Sequence, residues 1–189
     1  MLSGAAGQLY GSAHAWQLKK GWDANLDTSG VIQLSYMKNL FASRKWYDLV
    51  PDQSHTVVTA GYDHLSCIVG QFMADLSKDP DSLTSKALGR IKEHSGIGSI
   101  RSSNCATAAR TSDGSLVMVY LPTTRVITVD MSKLAGKTTA RWYDPTNGQY
   151  TDVNGSPFAN EGSRQFIPSG ANKSGEDDWI LVLEARPPR

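Results

Sequence analysis

Only two cysteines, Cys67 and Cys105, occur in 189 residues, and their spacing is not that of a metal-ligand pair. They are too few for a disulfide-built scaffold, which leaves either one bridge between them or two buried thiols. The four histidines, His14, His55, His64 and His94, include no pair at helical spacing, so no metal site is expected. Charge of one sign is lacking too. Nineteen basic against 18 acidic residues leave no electrostatic footprint for nucleic acid or an anionic membrane surface. No apolar run approaches the roughly 20 residues that span a bilayer, and Met1-Leu2-Ser3-Gly4-Ala5-Ala6-Gly7 lacks the basic and apolar regions of an export signal. A Gly-X-Ser-X-Gly nucleophile elbow is missing, and Gly96-Ile97-Gly98-Ser99 has no strand and helix around it to make a phosphate loop. No cofactor is therefore expected.

What the chain does have is enough apolar content, 40% of its residues, to build a core, and a change of pattern along its length. Residues 1–64 read as mixed α/β. Leu9 to Trp16 suggests a short buried strand ending in a polar and aromatic loop. Asp27, Thr28 and Ser29 then offer N-caps for a helix whose Val31, Leu34, Met37, Leu40 and Phe41 recur at helical spacing, with Lys38, Arg44 and Lys45 toward its end. After Trp46-Tyr47-Asp48-Leu49-Val50, Pro51 turns the chain away. Residues 65–104 hold an apolar patch around Cys67–Met73, a helix start at Asp79-Pro80-Asp81-Ser82 and a glycine-rich loop, and read as an insertion or linker.

From Cys105 onward the pattern becomes six short strands, Ala106–Arg110, Leu116–Leu121, Val126–Asp130, Thr139–Tyr143, Arg164–Ile167 and Trp179–Leu183. The Asp113-Gly114, Asn147-Gly148 and Asn154-Gly155 pairs between them are strong hairpin signals. Residues 105–185 therefore predict an antiparallel β-sandwich. In a strand Trp142 and Tyr143 must point to opposite faces, so one is expected in the core and one outside, with Trp179 as a core anchor.

Several of these pieces, in this order, carry a resemblance. They are Gly7-Gln8-Leu9-Tyr10-Gly11 with Trp16, Arg44-Lys45-Trp46-Tyr47-Asp48-Leu49-Val50-Pro51-Asp52-Gln53, Asp113-Gly114 before Val117-Met118-Val119-Tyr120-Leu121-Pro122, Arg141-Trp142-Tyr143-Asp144-Pro145-Thr146-Asn147-Gly148, and Asp177-Asp178-Trp179-Ile180-Leu181-Val182-Leu183-Glu184. Together they resemble the C-terminal part of the apiosidase-like glycoside hydrolases, a bacterial family whose (β/α)8 barrel is followed by a β-sandwich labelled collagen-binding. The resemblance implies an α+β chain: a partial barrel tail of one strand and one helix in residues 1–64, then the insertion at 65–104, then the accessory sandwich at 105–185. It implies polysaccharide degradation as the context, a parent enzyme that is secreted or periplasmic, and carbohydrate of plant or bacterial origin as the partner.

The family's catalytic carboxylates belong to earlier barrel strands, so the catalytic residues of this chain are unknown and the chain alone is not expected to be catalytically complete. Glycoside hydrolysis needs two carboxyl groups flanking the scissile bond. Asp23 and Asp27 flank the helix start, but capping explains acids there as well as catalysis does. What the resemblance does carry over is the rim of a sugar site at the C-terminal end of a barrel strand, where Tyr10, His14 and Trp16 are the expected substrate-binding residues. A Trp or Tyr ring would stack on a pyranose and His would bond its hydroxyls; Trp16 packed between barrel and sandwich is the competing reading. Tyr143 and Tyr150 are lesser stacking candidates. The alternatives are a stand-alone carbohydrate-binding module, or a small glycosidase completed by self-association through the unpaired barrel remnant.

Overall fold

The computed structural model describes residues 1–6, 18, 20–63, 67 and 104–186. Nine strands and one long helix make up these regions. The strands are β1 (Leu49–Pro51), β2 (Val58–Ala60), β3 (Thr107–Thr111), β4 (Leu116–Leu121), β5 (Ile127–Asp130), β6 (Lys137–Tyr143), β7 (Tyr150–Asp152), β8 (Ser163–Phe166) and β9 (Trp179–Arg186). The helix, α1, runs from Ser29 to Ala42. A six-stranded sheet has the order β1-β3-β4-β9-β6-β7 and a three-stranded sheet the order β2-β5-β8, and every pairing is antiparallel.

All six strands expected after Cys105 are present. β7 is a seventh in that stretch: Tyr150, Thr151 and Asp152 are all exposed, so no apolar alternation marks them in the sequence. Two further strands come from before residue 65. Pro51 ends β1 at the outer edge of the large sheet, where a residue without an N–H costs no ladder bond. β2 lies at the edge of the small sheet against β5. The sandwich thus takes an edge strand for each sheet from the segment assigned to 1–64, because Asp52 folds the chain between them: its Oδ1 accepts from Thr56 N–H and Oγ1–H, and its Oδ2 from Val57 and Val58 N–H, at 2.8–3.0 Å.

The two faces of the large sheet meet different partners. Val117, Val119, Leu121, Ala140, Trp142, Leu181 and Leu183 point inward, against Val58, Ile127, Val129, Met131, Phe158 and Phe166 of the small-sheet layer. Leu116, Met118, Tyr143, Ile180 and Val182 point the other way and are covered by Leu2, Leu40 and Phe41. That covering explains why β4 is apolar without alternation, as a strand buried on both faces must be. It also corrects the expectation for Trp142 and Tyr143: they do point to opposite faces, yet both are buried, because α1 closes the second face. Each fully buried Val or Leu contributes about 1.5–3 kcal/mol.

At its start, α1 has Thr28 in an extended N-cap conformation, but no side-chain cap bond is made; the turn closes through Ile32 N–H to Thr28 O at 3.1 Å. At its end, Arg44 donates to Leu40 O at 2.8 Å and its Nε to Glu184 of β9 at 2.9 Å. Arg141 of β6 donates to the other oxygen of Glu184. One carboxylate on the sheet therefore anchors the helix end. Cys67 and Cys105 form a disulfide, with Cα atoms 4.8 Å apart, which decides between a bridge and two thiols in favour of the bridge. Residues 65, 66 and 68–103, with the expected helix and loop, lie outside the described residues.

Candidate functional site

Tyr10, His14 and Trp16, the residues expected to bind sugar, lie outside the described residues. Asp23 and Asp27 are both exposed, Asp23 opening a single 3-10 turn at Asp23–Asn25. Four other carboxylates are committed to local structure. Asp52 is spent on the turn between β1 and β2. Asp144, 5% exposed, accepts from Thr146 N–H and Oγ1–H through Oδ1 and from Lys173 N–H through Oδ2. Asp113 and Asp130 hold tight turns by accepting from Ser115 and Ser132. Among the described residues there is no group of three or more His, Cys, Asp or Glu side chains placed to hold a metal ion, and no helix is long and apolar enough to cross a membrane.

Two of the concavities among the described residues lie between α1 and the large sheet and bring polar side chains together. The larger, about 640 Å³, is a groove between the Gly30–Phe41 side of α1, the segment Met1–Ala5, and strands β3, β4, β6 and β9. Leu34, Met37, Phe41 and Ile180 make its apolar wall, and Tyr120, Thr107, Thr146 and Asp178 its polar floor. Asp178 is half-buried. Its Oδ1 accepts from Asn172 Nδ2 at 2.7 Å and its Oδ2 from Tyr120 Oη at 3.4 Å. Burial pushes its carboxyl above the ordinary range, against the lowering effect of its own backbone N–H and of these bonds. Tyr120 is pushed up to about 12, by burial first and then by the Asp178 charge.

The loop Gly170–Asp178 that presents this carboxylate is built on Asn172. Asn172 is buried and takes the N–H groups of Ser174 and Glu176 on its Oδ1 while its Nδ2 donates to Asp178. Trp179 Nε1 donates to Gly170 O at 2.8 Å and closes the loop's other end. The sequence signal, Asp177-Asp178-Trp179, was visible as the start of a closing strand; that its second acid faces a groove depends on Asn172, which no local pattern flags.

The smaller concavity, about 320 Å³, is a cleft between the second half of α1 and the β6–β7 hairpin, lined by Tyr36, Asn39, Ser43, Tyr143, Gln149 and Tyr150 among others. Tyr143 donates to Tyr36 O at 2.9 Å, so its ring is structural rather than a stacking platform. Tyr150 is 36% exposed, with the guanidinium of Arg141 4.4 Å from its ring centre and that of Arg44 5.5 Å away. Gly148 (φ +75°) lets the hairpin close on the helix, since a Cβ there would sit 2.9 Å from Tyr36.

Comparison with known proteins agrees with this architecture. Residues 96–184 match the family model described as "Putative collagen-binding domain of a collagenase". A search of curated proteins finds no match. Among solved structures, one described as a glycoside hydrolase aligns with 96% of this chain at 24% identity and a TM-score of 0.57. A glycoside hydrolase family 5 structure from Bacteroides vulgatus aligns with 89% at 22% identity, also with a TM-score of 0.57. The chain spans 30% and 27% of those two proteins, and at such identities the likeness is one of fold. Over residues 96–184 the chain is thus similar to a collagen-binding-like domain, and its fold is shared with parts of two larger glycoside hydrolase structures.

Proposed function

We propose that this chain is the C-terminal accessory part of a glycoside hydrolase of the apiosidase-like kind, with residues 1–64 carrying the last strand and helix of a barrel and the sandwich serving as an appended domain. One observation carries the reading: the alignment to a larger glycoside hydrolase structure takes in 96% of this chain, α1 and its preceding segment as well as the sandwich. The commitment of Asp52, Asp113, Asp130 and Asp144 to turns supports it, since a glycosidase needs two carboxyl groups facing a substrate. Tyr10, His14 and Trp16 remain the proposed sugar-contacting rim. The disulfide supports a parent protein that works in an oxidising compartment, outside the cytosol.

Reducing-sugar release from plant and bacterial polysaccharides by the purified chain tests the proposal. The expected result is no release above a heat-inactivated control; release would place a complete carboxylate pair within these residues or across an oligomer and overturn it. A second reading, a stand-alone binding module, is favoured by the cleft beside Tyr150, where the side-chain amides of Asn39 and Gln149 have no hydrogen-bond partner among the described residues. Saturable retention on an insoluble polysaccharide, or on insoluble collagen, that is lost in Tyr150→Ala would support that reading, and no retention on either would remove it.

A further inference from the structure

The groove between α1 and the large sheet has features that the accessory reading does not use. Its volume, about 640 Å³, falls within the span of roughly 300–1,000 Å³ typical of small-ligand sites. Among the described residues no Lys or Arg side chain lines it. Tyr120, Thr146 and Asp178 line it together with Leu34, Met37, Phe41 and Ile180. Among the described residues Asp178 meets three donors, Asn172 Nδ2, Tyr120 Oη and its own backbone N–H, whereas an ionised carboxylate offers about four lone-pair sites. About one acceptor position is therefore left on a carboxyl held part-way out of water. Its raised titration range has the same origin, since burial there outweighs the donors that lower it.

We infer that this groove binds a neutral pyranose unit, with Asp178 accepting a hydrogen bond from a ring hydroxyl, Tyr120 and Thr146 flanking it, and Phe41, Met37 and Ile180 meeting the ring's C–H face. The chemistry selects this class. A polyol supplies a further donor to Asp178, and the C–H groups of a sugar ring suit the apolar lining of Leu34, Met37, Phe41 and Ile180. The choice of sugar over another polyol rests on the glycoside-hydrolase reading above; the groove and its carboxylate do not. The site is distinct from the Tyr150 cleft.

Titration of the 15N-labelled chain with the methyl pyranosides of glucose, galactose, mannose and xylose, followed by amide shifts, tests the inference. At least one should bind saturably with a Kd in the millimolar range, moving the amides of Tyr120, Thr146 and Ile180. Asp178→Asn should weaken it at least tenfold, and Tyr150→Ala should leave it unchanged. Ala5→Trp, which fills the groove from an exposed position and leaves Asp178 untouched, should abolish binding and keeps the test open if Asp178→Asn does not fold. No shift with any pyranoside at 50-fold the protein concentration and above 20 mM, or shifts indifferent to both variants, would overturn the inference. So would saturable binding of butylammonium in place of the sugars, which would make the groove a cation site. Reducing-sugar release by the chain would sink the accessory reading alone, so the two failures are separable.

Discussion

Asp113 shows how much of this structure turns on single acceptors. The N–H of Ser115, then the hydroxyls of Thr111 and Ser115, hold its carboxyl down at about 2. A folded-state value below the unfolded one, about 3.9, means stability that is fully present above pH 4 and is lost as pH falls toward 2. Asp113→Asn keeps the acceptor for Ser115 but cannot titrate, so its melting temperature should fall less steeply between pH 4 and pH 2 than the parent's. Because Asp113 is exposed and screened, the difference should not exceed about 2 °C; parallel curves would show that the turn carries no such linkage. Gly61 makes the opposite case, where geometry and not charge decides. Its φ is +81° and a Cβ would lie 2.1 Å from Val126 O, whereas Gly175, at φ +82°, has nothing within 4 Å. Gly175→Ala should therefore cost about 1 kcal/mol for the left-handed backbone alone, and Gly61→Ala at least about 2 kcal/mol more. Urea unfolding giving equal losses would mean that Val126 moves aside freely.

At the scale of elements, what could be read beforehand depended on whether a residue's role was local. The strands of residues 105–185 were legible because Asp-Gly and Asn-Gly turns punctuate alternating segments, and α1 because Val31, Leu34, Met37, Leu40 and Phe41 repeat at its period. β1, β2 and β7 were not legible: they are three residues long, end in Pro or carry exposed side chains, and exist because a neighbour offers an edge. The groove was invisible for the same reason, since Tyr120, Thr146 and Asp178 come from separate elements and meet only after α1 has docked. Disulfide pairing was equally beyond the spacing of two cysteines. The bridge joins the chain just after β2 to the chain just before β3 across a separation of 38 residues. Closing a loop of that length removes roughly 4 kcal/mol of unfolded-state entropy in the chain-entropy account. The double variant Cys67→Ser/Cys105→Ser should accordingly lose about 2–4 kcal/mol in denaturant unfolding with its spectrum of sheet unchanged; no loss would mean that the stretch between them constrains the unfolded chain by itself.

The described regions as a whole form three layers: α1 and the first residues, the six-stranded sheet, and the three-stranded sheet. The middle layer touches both others, so its central strands β4 and β9 cannot be exposed without dismantling the entire core. α1 is placed differently. It buries only Leu40 and Phe41 fully, lacks a side-chain N-cap, and is pinned at one end through Arg44 and Glu184. Local stability should follow this arrangement. The amides of Val117, Val119, Leu181 and Leu183 should exchange only through global unfolding, while those in the first two turns of α1 exchange through a cheaper opening that lifts the helix from the sheet. Arg44→Ala should lower the protection of α1 amides by about 1 kcal/mol, the worth of a charge-assisted bond and a helix-end contact, and leave those of β9 close to the global value. Because Met37 and Phe41 wall the groove, the same opening would remove one side of the proposed sugar site, so a bound pyranoside should slow exchange in α1 before it slows exchange in β4. Uniform protection across helix and sheet would instead show that α1 and the sandwich unfold as one unit, and that the groove cannot open without loss of the whole fold.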